Sequence, residues 1–112
     1  MTLFEKIAAR EIPARMVAES DEWLAFHDVN PQAPVHVLIV PKRAIARLDQ
    51  ATDEDAALFG RMLLAANEIA KTLGISESGF RIVINNGRDA GESVPHLHIH
   101  LLGGRPLAWP PG

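Results

Sequence analysis

Three histidines stand at alternate positions, His96, His98 and His100, with Leu97, Ile99 and Leu101 interleaved, in a stretch running from Ser93 to Gly104. In an extended strand alternate side chains leave the same face, and residues two apart lie ~6.6 Å along the chain. The three imidazoles then share one face, and the aliphatics enter a core on the other. Three kinds of chemistry fit such a row. Zinc takes imidazole nitrogens at ~2.0–2.1 Å, so two ligands of one ion lie within ~4 Å of each other. Neighbouring histidines can converge on one ion; the outer pair, ~13 Å apart at the backbone, cannot. A zinc site would use two of the three plus another donor such as His36, leaving one strand histidine unused. Histidines that are hydrogen-bonded and half-buried for purely structural reasons account for a single such residue more readily than for three in register. Neutral imidazole is also a nucleophile near pH 7 and a leaving group once phosphorylated. Flanking histidines can donate to phosphate oxygens, and the glycine-bearing loop 86–92 can offer backbone N–H groups to the same phosphate.

The other elements must hold that row in place. Thr2 and Glu5 have the spacing of a capping box, which predicts a short helix to about Ala9, ended by Pro13. Residues 14–19 and 23–28 read as a hairpin around Ser20-Asp21-Glu22. The two prolines of the 30–34 segment stiffen the loop that follows. His36 to Val40 is a near-continuous apolar strand closed by Pro41. Thr52 caps a helix from about Asp53 to Leu73, with acidic residues where the helix dipole favours them and Gly74 as its stop. Its apolar arc joins Leu58, Met62, Ala65, Ile69 and Leu73 to Phe59, Leu63, Ala66 and Ala70. That arc is broad enough to cover a sheet and also meet a partner subunit. Phe80 to Asn85 is a fourth strand and the histidine run a fifth. The expected fold is α+β, with a mostly antiparallel five-stranded sheet, one short helix and one long one. Residues 1–112 form one domain, and 105–112 form an extended Pro-rich arm carrying Trp109.

Composition narrows the partners. Eleven basic and fourteen acidic residues give a net charge of −3, which argues against a general nucleic-acid binder. There is no cysteine, so thiol chemistry and Cys-ligated zinc are excluded. No run approaches the ~18 apolar residues of a membrane span, and the first residues build no apolar signal segment. No membrane partner is expected, and the expected location is the cytoplasm.

The run from His96 to Leu102 resembles the His-φ-His-φ-His-φ-φ signature (φ apolar) of the histidine triad (HIT) superfamily. Ala25-Phe26-His27-Asp28, Pro31 to His36, Gly91 to Val94, Leu102 to Arg105 and Trp109 to Gly112 are similar to its Hint branch, the histidine triad nucleotide-binding proteins. The resemblance covers nearly the whole chain. Ser93 and the pair Gly103-Gly104 separate it from the dinucleoside polyphosphate hydrolase branch, which tends to carry glutamine and proline there. Pro95 departs from the branch, where an aromatic is common, and removes a backbone N–H beside the triad.

The resemblance implies a homodimeric purine nucleotide phosphoramidase that also hydrolyses aminoacyl adenylates, with no obligatory cofactor or metal and with the sheet continued across the dimer. It implies that His98 is the nucleophile, forming a nucleotidyl-histidine. His100 and His36 would contact phosphate and assist proton movement, with His96 orienting the site. Ser93 would bond the phosphate or leaving group, Asn85 would hold the phosphate side, and Gly91 and Glu92 would contribute through their backbone. Asp28 would accept the two ribose hydroxyls, which suits a carboxylate with two acceptor oxygens. Leu3, Phe4, Ile7, Phe26, His27 and Val29 match the family's purine slot, although Phe4, Ile7 and Phe26 are equally the residues of a plain core. Trp109 would cross to the partner's active site and shape leaving-group specificity. Arg105 and Lys42 can add positive charge, with solvated surface the simpler role for Lys42. Two other readings remain: a purine nucleotide-binding regulatory module with little turnover, and a His-ligated zinc protein.

Overall fold

The computed structural model describes all 112 residues. The Thr2–Glu5 capping box forms in both directions, with Glu5 N–H on Thr2 Oγ1 and Thr2 N–H on Glu5 Oε1, each at 3.1 Å. It starts helix α1, Leu3–Ala8. Strands β1 (Met16–Glu19) and β2 (Trp23–His27) make the expected hairpin. Ser20 Oγ accepts the N–H groups of Glu22 and Trp23 in its turn. Strand β3 is Val35–Pro41. After 3-10 turns at Leu48–Gln50 and Asp53–Asp55, helix α2 runs Ala56–Thr72. The expected start at Asp53 is therefore a 3-10 turn that leads into the α-helix. Its buried Asp55 carboxylate accepts the Thr52 N–H at 2.9 Å and pairs with Arg43. Strand β4 is Phe80–Val83, two residues shorter than expected.

All pairings are antiparallel, in the order β1-β2-β3-β5-β4. The fifth strand, β5, is only Ile99–Gly103. The sequence placed His96 and His98 in the ladder as well, and the structure corrects this. In the register set by Ile39 against Ile99, Leu97 would face Pro41, which has no N–H to give. Leu97 N–H turns instead to Ile45 O at 2.6 Å, and His96 N–H to Val94 O at 2.8 Å. The segment from Val94 to His98 is an irregular, hydrogen-bonded bend that keeps alternation without keeping the ladder.

Alternation divides the core in two. One face sends Ala25, Val37, Ile39, Ile99 and Leu101, with Leu97, against Leu58, Met62, Ala66, Ile69 and Ala70 of α2. The other packs Leu24, Phe26, Leu38 and Val40 against Phe4 and Ile7 of α1. Of the broad α2 arc, Leu63 stays exposed, as does its neighbour Leu64. At the end of β5, a Cβ on Gly103 would lie 2.7 Å from Ile75 Cδ1 and 3.1 Å from Ile75 Cβ, so a larger residue there would make the Ile75 side chain shift. No helix is long and apolar enough to cross a membrane.

Candidate active site

The histidines all belong to the α1 side of the sheet, and their hydrogen bonds fix which nitrogen carries each proton. A carbonyl only accepts and a backbone N–H only donates. His98 Nδ1 lies 2.8 Å from the carbonyl of His96, so Nδ1 carries the proton and the Nε2 lone pair is free. His96 Nε2 lies 2.8 Å from Pro41 O and must donate to it. Its Nδ1 then accepts from the Thr2 hydroxyl at 3.1 Å. Gln32 N–H donates to His36 Nδ1 at 3.0 Å, so His36 Nε2 carries the proton and gives it to His100 Nδ1 at 2.9 Å. Neutral His100 is left with its proton on Nε2, a buried donor with no partner in the protein. The four rings thus present one free lone pair, on His98, and one unspent donor, on His100.

Burial favours the neutral form of His36 and His100. It pushes His36 below the ordinary histidine range, partly offset by Asp28, whose Oδ2 is 3.4 Å from His36 Nε2. His100 is pushed down to about 4, by burial first and then by repulsion from His98 and His36. Asp28 Oδ1 accepts Asn30 N–H at 2.9 Å, which holds the carboxylate at the rim. Asp28, His36 and His100 form the cluster whose donor atoms lie within 4.8 Å of one another. An ion there would have to break the His36–His100 bond. His96, committed to Pro41 and Thr2, takes no part in it.

His98 and His100 open on a cavity of about 310 Å³. Leu3, Phe4, Ile7, Phe26, His27, Asp28, Val29 and Ser93 line it, so the six residues matched to the purine slot share one wall system with the residues matched to ribose and phosphate. Phe4 stands edge-on to His98 with ring centroids 4.9 Å apart, and 5.8 Å from Phe26. The cavity is therefore a mostly apolar slot with the free imidazole lone pair of His98 at one end and the Asp28 carboxylate in its wall.

Residues 9–107 match the model of the HIT domain. The chain belongs to the HIT family. It is 60% identical over 111 residues to an uncharacterized HIT-like protein of Synechocystis, spanning 99% of this chain and 96% of that protein. A HIT family hydrolase of Legionella pneumophila superposes with a TM-score of 0.98 at 47% identity, with both chains covered in full. A histidine triad nucleotide-binding protein of Candida albicans does so with a TM-score of 0.83 at 31% identity, over 98% of this chain and 83% of that one.

Within this HIT domain some residues singled out in the sequence lie elsewhere than in the cavity wall. His36 and His96 stand behind it, each holding a neighbour. Asn85 and Gly91 are outside the lining, and the Glu92 carboxylate turns away to Arg47. Trp109 is 80% exposed and lies with its ring 5.9 Å from the Arg81 guanidinium, which also donates to Ala108 O. Lys42 pairs with Glu19 at 3.2 Å, and Arg105 donates to Gln32 O at 2.8 Å. Sequence reasoning missed Ile12, Pro13, Ala14, Leu38 and Val94 as lining residues. Leu38 was within reach, because strand alternation puts it on the face of His36. Ile12 and Pro13 carried no periodic signal, and Ala14, expected to open the first strand, lies before it, because that strand starts only at Met16.

Proposed function

We propose that this protein is a Hint-branch purine nucleoside phosphoramidase that works through a covalent nucleotidyl-His98. The observation that carries the reading is the tautomer of His98. Its Nδ1–H is spent on the His96 carbonyl, so the Nε2 lone pair is the nucleophile offered to the cavity. In the reaction His98 Nε2 forms a bond to the α-phosphorus as the P–N bond breaks, and the amine leaves with a proton taken from solvent, which the attacking water of the second step returns. The positive charge on the phosphorylated ring stays on Nδ1–H against the His96 carbonyl. Water then attacks phosphorus and releases nucleoside monophosphate and neutral His98. The unspent His100 Nε2–H supports a role as donor to a phosphate oxygen, where charge grows in the transition state. Asp28 at the rim suits a ribose diol, and the Phe4–Phe26 slot suits a purine. Aminoacyl adenylates present the same α-phosphorus with a carboxylate as the leaving group.

A homodimer completes the reading. The exposed Leu63 and Leu64 of α2, and the edge strand β4 with the Trp109 arm tethered to it through Arg81, are the surfaces that such a pairing would use. That arrangement would bring each arm towards the partner's site. Light scattering should give twice the 12.2 kDa chain mass; a monomer at micromolar concentration contradicts the pairing. For the chemistry, the native protein and His98→Ala are incubated with adenosine 5′-phosphoramidate in chelator. AMP release by the native protein alone is expected, with an acid-labile nucleotide adduct caught by rapid quench. Equal turnover by the two proteins would remove His98 as nucleophile.

A further inference from the structure

Arg47 lies in the connector between β3 and α2, distant in sequence from the histidines, and none of the chemistry above uses it. Its guanidinium holds the Glu92 carboxylate through Nε to Oε1 at 3.0 Å, Nε to Oε2 at 3.3 Å and Nη2 to Oε2 at 2.8 Å. The same carboxylate accepts Gly87 N–H at 3.2 Å, and Glu92 N–H donates to Gly87 O at 3.2 Å. Residues 87–92 are thus closed into a ring by both the backbone and the side chain of Glu92. A second tie, Asp49 N–H to Asn86 Oδ1 at 2.9 Å, joins the same two segments. Ser93 and Val94 come next in the chain and line the cavity with His98 and His100.

The Glu92 side chain is only 11% exposed. Arg47, and then the Gly87 N–H, hold its carboxyl below the usual carboxylate range. A carboxylate so sheltered is costly to leave without its partner, and would swing towards water to recover solvation. Swinging out would carry Ser93 with it. A planar arginine fork fixes both the charge and the direction of the carboxylate, which a lysine does less well.

We propose that Arg47 and Glu92 are a positioning pair for phosphoryl transfer: Arg47 clamps Glu92 so that the turn delivers Ser93 and Val94 to the phosphate side of the triad. The proposal rests on the reaction at His98 proposed above. Neither side chain lines the cavity. The purine slot and Asp28 are held by other elements, so the pair acts on the geometry at phosphorus and not on base or ribose binding.

The test compares the native protein with Arg47→Gln, Glu92→Gln, the double variant and Arg47→Lys. Turnover of adenosine 5′-phosphoramidate and amide hydrogen exchange across residues 86–94 are measured on each. Arg47→Gln is expected to lower kcat by about 10- to 100-fold while KM stays within about two-fold, the signature of a misplaced reacting geometry. The double variant, whose neutral pair leaves no unpaired charge, should recover most of that loss, as contacting residues are energetically coupled. Arg47→Lys should fall between, and it is the variant to read if Arg47→Gln does not fold. Unchanged kcat in the Arg47 variants, a loss confined to KM, or additive losses in the double variant overturn the proposal. Should the native protein turn over no phosphoramidate, the phosphoryl-transfer reading fails by itself. The clamp is then decided by exchange alone: faster exchange at 91–94 in Arg47→Gln, restored in the double variant, supports it, and unchanged protection overturns it.

Discussion

Val37 and Ile39 leave β3 towards α2, while His36, Leu38 and Val40 leave it towards α1. The α2 side is filled by interlocking aliphatic side chains along a helix of 17 residues. The α1 side is covered by a helix of only six residues, and what that helix leaves uncovered is the cavity. One strand therefore builds a sealed core and an open site from alternate residues. The two sides divide the labour. The α2 side sets where the backbone runs, and the α1 side uses that fixed backbone to aim imidazoles whose protons are assigned by hydrogen bonds.

The substitution with the largest expected effect is His98→Ala. If the α1 side carries the chemistry, phosphoramidate turnover falls by at least about a thousand-fold, because the covalent route is lost. The melting temperature should change little beside that loss. The mirror experiment is Leu101→Ala, three residues along but on the α2 side and fully buried. It is expected to cost about 2–5 kcal/mol of stability in denaturant unfolding. Turnover per folded molecule should remain close to native. A Leu101→Ala protein that keeps its stability, or loses kcat at full folding, would erase the division.

Asp28→Asn makes a smaller change within the α1 side. It keeps an acceptor for Asn30 N–H but removes the charge that two ribose hydroxyls would meet. Binding of AMP, measured by calorimetry, should weaken about ten-fold, the worth of one charge-assisted hydrogen bond. Affinity for a 2′,3′-dideoxy analogue should not change between the two proteins. Equal weakening for both ligands would show that Asp28 acts only through its turn and His36.

The two sides also differ in how readily they could be read from sequence. The succession of strands and helices, the Thr2–Glu5 capping box and the α2 core followed from apolar periodicity and capping residues, because burial enforces those patterns. The grouping of His98, His100, Asp28 and Phe4 was reached through the family's motifs, and the cavity places them together. Three features escaped. The ladder's end at Ile99 depends on Pro41, a residue on the opposite strand that meets Leu97 only in three dimensions. The Arg47–Glu92 pair spans 45 positions with no pattern to announce it. The proton assignments depend on the direction of individual carbonyls, those of His96 and Pro41, which no side-chain sequence encodes.

Those proton assignments lead to the subtlest expected effect, a pH dependence of stability that belongs to one side only. His100 is held to about 4 in the folded protein and titrates near 6.5 when unfolded, and His36 is displaced in the same direction. Between those values the unfolded chain binds more protons than the folded one, so stability rises with pH across that window. The contribution is fully present above about 6.5 and drains away as pH falls towards 4. Carboxylates lowered by their partners, such as Asp55 and Glu92, lose their contribution only below their ordinary range, near 4.5. The interval from about 4.5 to 6.5 therefore reports the histidines. Urea unfolding of His100→Asn across that interval should give a slope shallower by up to about one bound proton. Leu101→Ala should lie lower at every pH with the slope unchanged, because the α2 core it perforates carries no titrating group. A slope that survives His100→Asn would mean that the neutral His36–His100 pair does not set the acid sensitivity, and the proton assigned to His100 Nε2 would lose its support.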